Sequence, residues 1–375
     1  MISMEPVLKR GYTAWDQDIL PSDEFVKRLD AVRAALRAQQ LEALVIVNYS
    51  LLGAMFRYED IAYLGGLQSG GVIVVYHDAD PTLLTFGGGR ELFFTREQTW
   101  IERVVPGRGR TFEVAQELLA ERGINGARIA TTGLPGMPSA AVERFKQAFS
   151  GYELKSFDSE LAAMRMVKRP RELLAIGIAK RIADQAASAA LDVYRSGGDN
   201  TSAMLEAERV ARFNKARDVR VLVNMNSTEL RPFEGRLDGR HDPLMLWVAV
   251  QYHGYWAETA IMSGESTGTS ADLAVAAMAA AIRPGVAAGV VAQAGLDALP
   301  ADLREGALQY GLGGTVGLAQ CDGIEIVPGS KEPLPSDCVV SLHCCALAND
   351  SPSVASRLLL VSSDGSVEVS APALD

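Results

Sequence analysis

Cysteine is scarce in this chain, with four among 375 residues, and all four (Cys321, Cys338, Cys344 and Cys345) fall towards the C-terminal end. None forms a CxxC pair and two are adjacent, so neither a disulfide framework nor a zinc knuckle is indicated. Long apolar runs are missing as well. The most apolar stretch, Leu273 to Ile282, is far short of the roughly 20 residues that cross a bilayer, and no apolar segment follows a basic start. A cytoplasmic protein with no membrane partner is expected. Positive charge is in deficit: the formal net charge is −10 at pH 7 and no Lys/Arg cluster stands out, which argues against nucleic acid as a partner. The glycine run Gly87-Gly88-Gly89-Arg90 lacks both GxGxxG spacing and a P-loop lysine, so it is a weak phosphate signal.

What is present is the composition of a globular protein, 48% hydrophobic and 22% charged. At about 100 to 200 residues per domain, the length calls for two domains. Ser22 can cap a helix, Asp23 and Glu24 suit its positive end, and Phe25, Leu29, Val32 and Leu36 recur at helical spacing. Segments 41–48, 71–76 and 81–86 read as strands, and helices over 111–122 and 138–149 flank a strand at ARIATTG. Strands alternating with helices over residues 1–160 make an α/β domain with a mixed sheet. A hinge follows at MRMVKRPRELLAI, residues 164–176. Beyond it, residues 165–375 give two helices, a hairpin in 243–263, two more helices and late strands at 339–345 and 356–366. That pattern implies a duplicated α+β domain around one curved antiparallel sheet.

The order of these elements, and several local phrases, resemble the creatinase, aminopeptidase P and prolidase superfamily. ALVIVN followed by IAYLGGL resembles its N-terminal strand and turn, and MRMVKRPRELLAIGIAKRIADQA its entry helix. PLMLWVAVQYHGYWAETA resembles its metal-bearing hairpin, GLGGTVGLAQCDG its histidine loop, and SDCVVSLHCCA its glutamate strand. The resemblance implies a creatinase/prolidase-type N-terminal α/β domain followed by a pita-bread domain. Carried over position by position, the ligands of that family's two metal ions fall on Trp247, Glu258, Gly314, His343 and near Ser356. One carboxylate and one imidazole are too few donors for two divalent ions. No metal and no cofactor are therefore expected. Creatinase works without metal, but the position of its catalytic histidine falls on Arg231.

The resemblance places Cys321, His343 and Glu258 on the inner face of one sheet. A thiol, an imidazole and a carboxylate within reach of one another can serve as nucleophile, base and orienter. Alternatively, Cys321 is a small buried hydrophobe and His343 fills an empty metal pocket. Glu258 is read as a general acid or base, or as half of a salt bridge to Arg357. Arg231 is a candidate clamp for a substrate carboxylate, or else a surface ion pair. Trp247 and Tyr255 are candidates to contact substrate, with core packing as the alternative for Trp247. Arg57 and Tyr58, in FRYED, are candidates to complete a partner's pocket across a homodimer, the alternative being a solvated loop. The expected function is hydrolysis, without metal, of a C–N or related bond in a small polar molecule. A metal-free lyase and a non-catalytic binding module on the same scaffold are the alternatives.

Overall fold

The computed structural model describes residues 14–49, 59–225, 229–232, 235, 239–264, 268–347 and 352–370. The chain divides into two compact units, one spanning Tyr12–Arg165 and the other built on Met166–Asp375. Among the described residues no helix is long and apolar enough to cross a membrane.

The first unit begins with α1 (Ser22–Ala38), whose N-cap is Pro21 and not the expected Ser22. Proline fixes an extended φ there and leaves Ser22 inside the first turn. The spaced residues Phe25, Leu29, Val32 and Leu36 are all buried, each contributing about 1.5–3 kcal/mol. Glu24 and Arg28 are buried with them. Arg28 Nε donates to Glu24 Oε1 at 3.1 Å and Nη1 to the Tyr63 carbonyl at 2.9 Å, with its guanidinium over the rings of Phe25 and Tyr63. β1 (Ala43–Asn48), α2 (Glu59–Gly65), β2 (Gly71–Tyr76), β3 (Thr82–Thr85), α3 (Arg90–Gln98), β4 (Arg103–Pro106), α4 (Thr111–Ala120), β5 (Arg128–Thr132), α5 (Ser139–Ala148), β6 (Glu153–Ser156) and α6 (Asp158–Met166) follow. The six strands form one mixed sheet in the order β4-β3-β2-β1-β5-β6. β1 and β2 are buried on both faces, which explains their unbroken apolar runs.

The second unit opens with α7 (Pro170–Arg195), started by Pro170 in the first turn and by Glu172 Oε2 accepting the Arg169 N–H at 3.1 Å. α8 (Asn200–Phe213) is capped by Asp199. β7 (Asp218–Val223), β8 (Arg231–Pro232), β9 (Met245–Tyr252) and β10 (Tyr255–Met262) form a four-stranded antiparallel sheet, in the order β10-β9-β7-β8. α9 (Ser270–Ala281), α10 (Ala288–Ala298) and α11 (Arg304–Tyr310) lead to a second, β11-β12-β13-β14, made of β11 (Gly313–Val316), β12 (Val339–Ala346), β13 (Ser353–Ser362) and β14 (Gly365–Glu368). Where one curved sheet was expected there are thus two. They approach at β10 and β13, where the Ala260 N–H donates to Ser356 Oγ at 2.8 Å in place of a backbone ladder.

Strand alternation decides what each sheet turns inward. On β12, Val340, Leu342 and Cys344 join the core beneath α9 and α10, while Cys345 packs in a separate cluster with Leu230, Met245, Ala260 and Trp247. Ser341, His343 and Cys345 therefore share the opposite face. On β10, Tyr255 turns to α7 and Glu258 turns away from it.

Candidate active site

Glu258 on β10 is buried, and its carboxylate meets three donors. Trp247 Nε1 donates to Oε2 at 3.0 Å, Ser341 Oγ donates to Oε1 at 2.8 Å, and His343 Nδ1 lies 2.8 Å from Oε1. Burial alone would raise the carboxyl's pKa. The charge of His343 and the hydrogen bonds from His343, Ser341 and Trp247 outweigh it and hold Glu258 below the ordinary carboxylate range. The imidazole is itself buried, its ring tilted against Trp247 with centroids 4.2 Å apart. With Nδ1 directed to the carboxylate, Nε2 points the other way, 3.6 Å from where a Cβ on Gly311 would stand. A carboxylate fixing Nδ1 and a second ring nitrogen facing elsewhere is the arrangement that sets a histidine's tautomer for proton transfer.

The structure brings Glu258, His343 and Trp247 together; it does not bring Cys321 into the same hydrogen-bonded group. After β11 the chain folds back on itself, Thr315 N–H donating to the Ile324 carbonyl at 2.8 Å and Asp322 N–H to the Thr315 carbonyl at 2.7 Å. This turn holds the Cys321 thiol 4.0 Å from Glu325 Oε1. Neither Glu258 nor His343 hydrogen-bonds to it. Glu258 and His343 form a hydrogen-bonded dyad, and Cys321 stands outside it. Cys345, which does share the inner face, is fully buried with its thiol pushed far up, by burial first. It serves as packing.

Other expected contacts are corrected as well. Tyr255 is buried on the opposite face of β10, and its hydroxyl donates to Glu172 Oε1 at 3.1 Å, tying the hairpin to α7. Arg231 is about half exposed on edge strand β8 and pairs with Glu229, Nε to Oε2 at 2.9 Å. Its guanidinium is already engaged at the surface. Arg357 pairs with Glu368, not with Glu258. Arg57 and Tyr58 lie outside the described residues. Ser341, on no list of sequence candidates, supplies a hydrogen bond to Glu258; its signal was the two-residue step from His343 along a strand.

At Gly314 the fold leaves no room for a side chain. A Cβ there would stand 2.9 Å from the Ile324 carbonyl oxygen and 3.2 Å from Cys321 Sγ. Ser356 Oγ is occupied by the Ala260 N–H, and the indole of Trp247 presents only a donor. Among the described residues no group of three or more His, Cys, Asp or Glu side chains could hold an ion.

Comparison with curated proteins gives no match. A family profile described as Creatinase/Prolidase N-terminal domain matches residues 28–167. Among solved structures, an X-Pro aminopeptidase from Thermotoga maritima superposes with a TM-score of 0.74 at 17% identity, covering 92% of this chain and 98% of that one. A prolidase from Pyrococcus horikoshii gives 0.70 at 16%, covering 93% and 99%, and an aminopeptidase P from Escherichia coli gives 0.68 at 16%, covering 93% and 94%. Residues 28–167 thus match a creatinase/prolidase N-terminal domain, and the chain has the pita-bread fold of the creatinase, aminopeptidase P and prolidase superfamily.

Proposed function

We propose that the second unit is a hydrolase site that works without metal, cleaving a C–N or related bond of a small polar molecule with Glu258 and His343. The observation that carries this reading is the 2.8 Å contact between His343 Nδ1 and a buried carboxylate held ionised by Ser341 and Trp247. Nδ1 keeps its proton for Glu258, which leaves Nε2 as the base. Nε2 takes a proton from water, the resulting hydroxide adds to the electrophilic carbon, and the imidazolium returns the proton to the departing nitrogen. Glu258 stays ionised throughout and stabilises the imidazolium, as an orienting carboxylate does. The residues at the five family ligand positions do not suit two divalent ions. Gly314 is closed to a side chain, Trp247 cannot accept, and the carboxylate and imidazole are bonded to each other.

The test is release of amine or ammonia from a panel of amide, ureido and guanidino compounds by metal-stripped protein. His343→Ala should lower turnover on the order of 10²- to 10⁴-fold. Two divalent ions per chain by elemental analysis, with turnover abolished by a chelator, would overturn the reading. Absence of turnover across the panel would leave the fold as a binding module. We further propose a homodimer, checked by light scattering; a monomer at micromolar concentration contradicts it.

A further inference from the structure

We infer that the N-terminal unit carries a binding site of its own, a pocket for a zwitterionic amino acid with an aromatic or bulky apolar side chain. The cavity, about 360 Å³, lies where β1, β3 and β4 end and the antiparallel β2 begins. In open α/β sheets this carboxyl edge is where ligands gather, and the volume falls within the roughly 300–1,000 Å³ of small-molecule pockets. Its apolar wall is a triangle of rings: Tyr49 to Phe86 at 5.0 Å, Tyr49 to Phe112 at 6.2 Å and Phe86 to Phe112 at 6.4 Å between centroids.

The polar lining is sparse and of both signs. α3 turns Glu91, Thr95 and Gln98 toward the cavity, spaced i, i+4 and i+7 along one face. Gln98 Nε2 donates to the Phe94 carbonyl at 2.9 Å, while its Oε1 is buried with no hydrogen-bond partner among the described residues. Arg144 on α5 supplies the positive charge, held in place by Nη2 donating to the Gly109 carbonyl at 2.8 Å and by the Phe112 ring 6.0 Å away. Neither Glu91 nor Arg144 has an ion-pair partner among the described residues.

A ligand that answers this lining carries a carboxylate for Arg144, an ammonium for Glu91, and an apolar body for the rings. A neutral hydrophobe satisfies neither charge. A nucleotide would set its phosphates against Glu91. The triple-glycine run that reads as a weak phosphate signal in the sequence precedes α3, and a Cβ at Gly87 would stand 2.1 Å from Glu91 Oε2, the movable end of a flexible side chain.

Calorimetric titration of the full chain with L-phenylalanine, L-tyrosine and L-leucine tests the site. Saturable one-site binding of at least one of them is expected, weakened about tenfold or more by Arg144→Gln and by Glu91→Gln. Phenylacetate and phenethylamine, each lacking one charge, should bind about tenfold or more weakly than L-phenylalanine. No binding of any of the three amino acids at millimolar concentration overturns the proposal. So does affinity unchanged in both variants, or binding lost in His343→Ala and kept in Arg144→Gln, which would place the ligand in the second unit.

Discussion

Among the buried carboxylates of this protein, Glu24 in the first unit and Glu258 in the second are held by opposite means. Glu24 in the first unit faces Arg28, whose guanidinium keeps its charge at every accessible pH and is wrapped by Phe25, Tyr63 and the Tyr63 carbonyl. Glu258 in the second faces His343, an imidazole that can hold or give up a proton, with two neutral donors completing the shell. Burial of an acid therefore says little about function by itself. The partner decides: a permanent cation makes a fixed structural pair, and a titratable one makes a centre able to pass a proton.

The comparison breaks most visibly at Arg28. Replacing it by alanine removes the cation of a buried pair, and a loss of about 3–5 kcal/mol is expected in urea unfolding. Any turnover per folded molecule should be unchanged. Glu258→Gln sharpens the contrast from the other side, since it keeps the shape and removes the charge, for an expected loss of about 1–3 kcal/mol near neutral pH. Because the folded carboxyl lies below its ordinary 4.5, its contribution is complete above that value and disappears as pH falls through the folded one. The gap in urea midpoint between this variant and the parent should accordingly close on acidification; a gap that widens contradicts the arrangement. The smallest effect is expected at Cys321. Cys321→Ser, outside the dyad, should shift stability by less than about 0.5 kcal/mol and leave turnover intact, as measured side by side with the parent.

Much of the fold is legible in the sequence because its signals are local. The i, i+3, i+4 spacing of Phe25, Leu29, Val32 and Leu36, the apolar run at residues 71–76, and Pro170 at the start of α7 need no distant partner to be understood. The site is legible only in part. Glu258 and His343 are candidates from the resemblance, but their pairing depends on two separate sheets meeting at β10 and β13, which no local spacing encodes. Cys321 misleads because a loop sets its direction, whereas the direction of Cys345 follows from strand alternation. Two side chains need distant partners to be understood: Tyr255 beside the hairpin turn reaches back to Glu172, and Arg28 in a charged helix is wholly enclosed.

The closure over Gly314 bears on anyone who would engineer a metal centre into this scaffold. Reinstating ligands one residue at a time cannot succeed at this position, because a histidine would collide first with the Ile324 carbonyl and not with a replaceable side chain. The main chain between Cys321 and Glu325 would have to be redrawn beforehand, a change of several residues with no intermediate that gains an ion.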